Sequence, residues 1–176
     1  MSDTQWPRYE VFHQEGPDRP HRHAGSVHAT DAEMALLNAR DVFVRRPECS
    51  SLWVAPAGAI SGATAEELAG GGLSTDDVAG EAADFLVFAK LDARGTLSHL
   101  GQVQASSKAQ ALQEAARACG SQTPLVLWVV PVAQLTRSEP DQAVPLFAPA
   151  LDKPYRDQAF YHIQTALRRL RQESGS

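Results

Sequence analysis

Three histidines close together, His21, His23 and His28, are the first residues in this chain whose types could do chemistry. On an extended strand His21 and His23 point the same way and could share one metal ion. His28 faces the opposite side, and no carboxylate stands at matching spacing. The pattern favours structural histidines, bonded to a neighbouring strand or a helix end. Arg22, Arg40, Arg45 and Arg46 could form an anion site for a phosphate or a partner's carboxylate. The plainer reading is surface ion pairs with Glu48, Asp41 or Glu33. Cys49 has no histidine within a few residues, and Cys119 reads as a small apolar residue on a helix's buried side. No Gly-x-Gly-x-x-Gly follows a strand, and no Walker A sequence is present. The sequence predicts no catalytic residue, no cofactor and no metal ligand, and points toward binding rather than catalysis.

The elements that must position these residues follow from periodicity. Tyr9 to Gln14 and His21 to Ala29 alternate as strands, joined by a turn rich in Gly16, Pro17, Asp18 and Pro20. His23, Gly25 and Val27 should share one face of the second strand. Thr30 is the expected helix cap, with Glu33 completing a capping box. The helix carries an apolar stripe of Ala35, Leu36, Ala39, Val42 and Phe43, runs to about Arg45 and stops at Pro47. Leu52 to Ala55 is a third strand.

This plan occurs twice. When the chain is slid so that Val11 and Phe12 fall on Val87 and Phe88, His23, Gly25, Val27 and Ala29 fall on His99, Gly101, Val103 and Ala105. Ala35, Leu36 and Ala39 fall on Ala111, Leu112 and Ala115. One residue dropped from the next loop brings Trp53, Val54 and Pro56 onto Trp128, Val129 and Pro131. A repeat of this length means two copies of one structural unit. Each copy is too small to bury much surface alone, so the two should pack together. The predicted fold is α+β: two β-β-α-β modules with antiparallel sheets forming a pseudo-dimer, plus an extended C-terminal arm. The first module spans 1–61, a glycine-rich acidic linker 62–83, the second module 84–135, and the arm with a terminal helix 136–176. Pro140, Pro145, Pro149 and Pro154 argue for extension between Ser138 and Tyr155.

Composition sets the outer bounds. A net charge of −5 over 176 residues argues against general nucleic-acid binding. No apolar run has membrane-spanning length. Met1 to Pro7 has neither a basic start nor an apolar core, so no signal peptide is expected and the two cysteines suit a reducing cytoplasm.

The residues assembled in this way resemble a known family. Trp6-Pro7-x-Tyr9-Glu10-Val11-Phe12, His21-Arg22-His23-x-Gly25-Ser26-x-His28-Ala29, Met34-Ala35-Leu36-x-Asn38-Ala39-Arg40-Asp41, Arg45-Arg46 and Ser51-x-Trp53-Val54 are similar to the B subunit of ring-1,2-phenylacetyl-CoA epoxidase. Phe147-x-Pro149-Ala150-x-x-Lys153-x-Tyr155-Arg156, followed by Phe160-Tyr161, resembles that family's C-terminal segment. The resemblance implies a non-catalytic assembly role in a multicomponent bacterial oxygenase of phenylacetate degradation. The di-iron chemistry would belong to a partner A subunit, itself paired with a C subunit. The usual B subunit is shorter and dimeric, running almost directly from the Trp-Val strand to the terminal arm. Here a second repeat intervenes, which implies a covalent pseudo-dimer that needs no homodimer.

Trp6, Arg22, Arg45, Arg46, Phe147, Tyr155, Arg156 and Tyr161 are the expected partner contacts, since arginines and aromatics anchor interfaces. The rival reading is a stand-alone ligand-binding protein or enzyme of ferredoxin-like, dimeric-barrel type. A deep apolar cavity onto which His23 or His99 converges would favour the rival, and a packed interior would favour the subunit.

Overall fold

Alternation of apolar and polar residues sets β1 (Arg8–Gln14) and β2 (Arg22–His28), and both appear in the computed structural model, which describes residues 6–44, 49–70, 80–120, 122–139 and 143–148. Helix-forming residues then build α1 (Ala32–Phe43). Its cap is Asp31, not Thr30 as expected: the Asp31 carboxylate accepts the Met34 N–H at 2.8 Å, and the Thr30 hydroxyl donates to Asp31 instead. β3 (Ser51–Pro56) follows. The chain then forms β4 (Ser61–Thr64), a strand where the acidic linker was expected to begin, and α2 (Ala65–Gly70), which matches the short helix that the sequence allows around Thr64 to Ala69. Glu67 caps α2 by accepting the Thr64 N–H at 2.8 Å. The C-terminal half runs β5 (Ala83–Lys90), β6 (Ser98–Ala105), α3 (Lys108–Ala118), β7 (Val126–Pro131), β8 (Thr136–Arg137) and α4 (Ala143–Phe147). The fourth helix lies where an extended arm was expected. Pro145 is tolerated there because the first turn of a helix has no internal partner for its N–H groups.

The fold is α+β, with one eight-stranded antiparallel sheet ordered β4-β7-β5-β6-β2-β1-β3-β8, rather than a separate sheet for each module. This order forces the sheet to roll. β4 stands at one end and β3 near the other, yet only Ala57 to Ile60 join them. Laid flat at ~4.8 Å per strand they would lie roughly 29 Å apart. The connection reaches at most roughly 18 Å. The same limit applies to β7 and β8, joined by Val132 to Leu135.

Rolling makes two kinds of core. Outside, α1 covers Val11, Val27, Leu52 and Val54, while α3 covers Phe85, Val87, Leu127 and Val129. Inside, Phe12, Ala55, Leu86, Phe88 and Val130 form a third cluster drawn from both halves, with Trp53 and Trp128 packed against it. Adjacent residues of one strand therefore serve opposite cores: Val11 faces α1 and Phe12 faces inward.

A bulge corrects the expected facing of the histidines. Val11 pairs with Gly25 but Phe12 pairs with His23, which leaves Ala24 extra. One added residue flips the alternation. His23 therefore turns inward with Phe12, while Gly25 and Val27 remain on the α1 side. Gly25 sits at φ +141, and a Cβ there would lie 2.9 Å from the Phe43 ring, so both backbone and packing require glycine. The same register shift falls between Val87 and Phe88, opposite Gly101 and His99.

Candidate functional site

The two halves meet at a narrow seam between β2 and β6. Arg22 pairs with Ser98 in the ladder. The His23 N–H donates to the Leu97 carbonyl at 2.9 Å, and the His99 N–H donates to the His21 carbonyl at 2.8 Å. Behind this seam the side chains form a cluster of rings. Phe12 and Phe88 stack at its middle, 4.1 Å between centroids. His23 meets Phe12 and, edge-on, Trp128; His99 meets Phe88 and, edge-on, Trp53. Each histidine thus touches the tryptophan of the other half.

The polar groups of this cluster are unequal. Glu10 is buried on the inner side of β1, and its carboxylate takes His23 Nε2 at 2.8 Å and Arg8 Nε at 3.1 Å. The place matching Glu10 in β5 is Leu86, and His99 Nε2 is buried without a hydrogen bond among the described residues. His21 Nε2 is likewise buried and unbonded. The His21 ring lies flat on Trp53, 3.4 Å between centroids, and the Arg137 guanidinium stands 5.0 Å from the centre of that indole. Burial, then the neighbouring His99 and Arg137, pushes the His21 imidazole down to about 3, so it is neutral near pH 7. Burial also lowers His99.

The chemistry open to this arrangement is limited. Phe12, Phe88 and Val130 are fully buried and fill the space onto which His23 and His99 converge. Among the described residues no group of three or more His, Cys, Asp or Glu side chains could hold a metal ion. His28 is exposed at the end of β2, where its Nδ1–H donates to the Trp6 carbonyl at 2.7 Å. Burial pushes the Cys49 thiol up to about 11, away from the thiolate a nucleophile needs.

The expected partner residues scatter. Trp6 is 58% exposed at the head of β1. Arg22 is exposed at the seam, with no side-chain bond or ion pair among the described residues. Arg40 pairs with Asp41 at 2.9 Å. Phe147 is buried in the core under α1, which takes it off the available surface. Arg45, Arg46, Tyr155, Arg156 and Tyr161 lie outside the described residues. Glu10 and Arg137 were not anticipated from sequence. The alternation that turns Phe12 inward also turns Arg8 and Glu10 that way, and this was the available signal for Glu10.

A family model described as Phenylacetic acid degradation B matches the chain in two stretches, residues 5–74 and 81–168. The chain belongs to that family. The B subunit of 1,2-phenylacetyl-CoA epoxidase from Escherichia coli (strain K12) is 49% identical over 67 residues, which is 38% of this chain and 70% of that protein. No solved structure matches. The two matched stretches of the Phenylacetic acid degradation B model take in both sides of the seam, the first including β1 to β4 and the second β5 to β8.

Proposed function

We propose that this chain is a non-catalytic assembly subunit of a multicomponent phenylacetyl-CoA epoxidase in the bacterial cytoplasm. Two fused copies of one β-β-α-β unit would act as a covalent pseudo-dimer, and the partners are the catalytic A-type subunit and its C-type companion. The observation that carries this reading is the family match in two consecutive stretches, each holding the same run of strand, strand, helix and strand. Supporting it, the pairings correspond across the seam: Tyr9 faces Pro56 in one half, and Phe85 faces Pro131 in the other. Short strands are also exchanged, with β4 pairing on β7 and β8 on β3. The rolled sheet is the shape the rival ligand-binding reading needs, but its interior is filled by Phe12 and Phe88.

The test is co-expression with the A and C epoxidase subunits of the same bacterium, followed by size-exclusion chromatography with mass measurement. We expect co-elution, with one chain in the place of a B dimer, and turnover that falls when the chain is omitted. Separate elution with unchanged turnover overturns the reading.

A further inference from the structure

The seam opens at the surface into a groove of about 320 Å3. Arg22 enters it from β2, and Arg94 enters from the turn between β5 and β6. Both side chains are exposed, and among the described residues neither guanidinium has a hydrogen bond or an ion pair. Leu91 and Leu100 also line the groove, 41% and 48% exposed. The acidic residue in the lining, Asp92, is engaged in the turn, where its carboxylate accepts the backbone N–H groups of Arg94 and Gly95. In a chain of net charge −5 this is a locally cationic, partly aliphatic surface.

The unused donors decide the ligand class. Phosphate cradles are built from free backbone N–H groups. Here the N–H groups of the turn go to Asp92, and the Ser98 hydroxyl donates to the Thr96 carbonyl at 3.3 Å. Two guanidinium forks beside two leucines remain. Guanidinium forks match carboxylates and phosphates alike, and it is the arginines' place beside exposed apolar side chains, the composition of a protein interface, that favours a carboxylate-bearing protein segment.

We propose that this groove docks an acidic segment of the partner protein, with its carboxylates on Arg22 and Arg94 and its aliphatic side chains on Leu91 and Leu100. The proposal rests on the assembly-subunit reading. It also makes docking one-sided. The matching places across the seam hold Glu15 for Leu91, Asp18 for Arg94, Arg19 for Gly95 and Ala24 for Leu100, a surface with two carboxylates to one guanidinium and without the leucines, which suits the same segment less well.

The test compares the wild-type chain with R22E/R94E and the uncharged R22Q/R94Q, each titrated calorimetrically with purified A–C pairs at low and high salt. Thermal melting checks the fold of each variant. The expected result is wild-type binding that weakens with salt, R22Q/R94Q weaker by about tenfold and R22E/R94E weaker still, at unchanged melting temperatures. Wild-type binding that the variants share overturns the groove and leaves the assembly reading standing. A wild-type chain that binds no A–C pair overturns both. Two further results overturn the protein occupant: saturable binding of inorganic phosphate to the free chain that is lost in R22E/R94E, or a self-association of the chain that is lost in the same variant.

Discussion

The rings of Phe12 and Phe88 stack at 4.1 Å between centroids, although their strands belong to different halves of the chain. Both are fully buried. The inner core is therefore shared property, and neither half keeps it alone. Phe12→Ala and Phe88→Ala should each cost about 3–5 kcal/mol in urea unfolding. A double-mutant cycle should return a coupling of about 0.5–1.5 kcal/mol for the pair. A loss below about 1 kcal/mol in either single variant would mean that the two halves do not depend on this contact.

The two bulge glycines separate backbone strain from packing. Gly25 and Gly101 both have positive φ, at +141 and +157. A Cβ on Gly25 meets the Phe43 ring at 2.9 Å, whereas a Cβ on Gly101 meets nothing within 4 Å. Gly101→Ala should cost roughly 1–3 kcal/mol from strain alone. Gly25→Ala should cost more, and Phe43→Leu in that background should recover part of the difference. Equal costs in chemical denaturation would remove Phe43 from the account.

Much of this fold could be read locally, because its signals are local. β1, β2, α1 and β3, and their counterparts in the second half, carry their own alternation, caps and turn residues. The long-range features could not be read that way. Ser61-Gly62-Ala63-Thr64 lacks strand-forming bulk and is a strand because it pairs with β7, far along the chain. The roll of the sheet follows from that pairing and from β8 on β3, so local patterns suggested two sheets where there is one. The inward turn of His23 depends on one extra residue, Ala24, whose only sequence trace is the glycine after it. The Glu10 contact depends in turn on that shift. Arg22 was legible as a candidate contact, while Arg94 and the leucines beside it gained meaning only when the seam brought them to one groove.

The chain should become less stable in mild acid, and His21 should account for much of the slope. Its imidazole is ordinary when unfolded, near 6.5, and is held to about 3 when folded, first by burial. Below about pH 6.5 the unfolded chain therefore gains a proton that the native chain refuses. Stability falls as the pH drops through that value, and the contribution levels off near 3. The lowered His99 acts in the same direction. His21→Leu removes a buried unbonded nitrogen and copies Leu97, the residue at the matching place in the second half. It should leave neutral-pH stability within about 1.5 kcal/mol and flatten the slope between about pH 7.5 and 5. Unfolding curves of both proteins across that window decide the matter, and an unchanged slope would absolve His21.

Trp6 should matter to the partner and not to the fold. Its side chain is 58% exposed, and its backbone carbonyl, not its indole, is what His28 holds. Trp6→Ala keeps that carbonyl, so the unfolding free energy should move by less than about 0.5 kcal/mol. An exposed indole is a strong anchor when a partner covers it, and its truncation typically costs about 2 kcal/mol or more of binding. The matching place in the second half is Ala82, so that side offers no replacement. Titration of the variant with the A–C pair should therefore show a loss of at least about tenfold at unchanged melting temperature. A variant that melts early but binds normally would instead make Trp6 part of the fold.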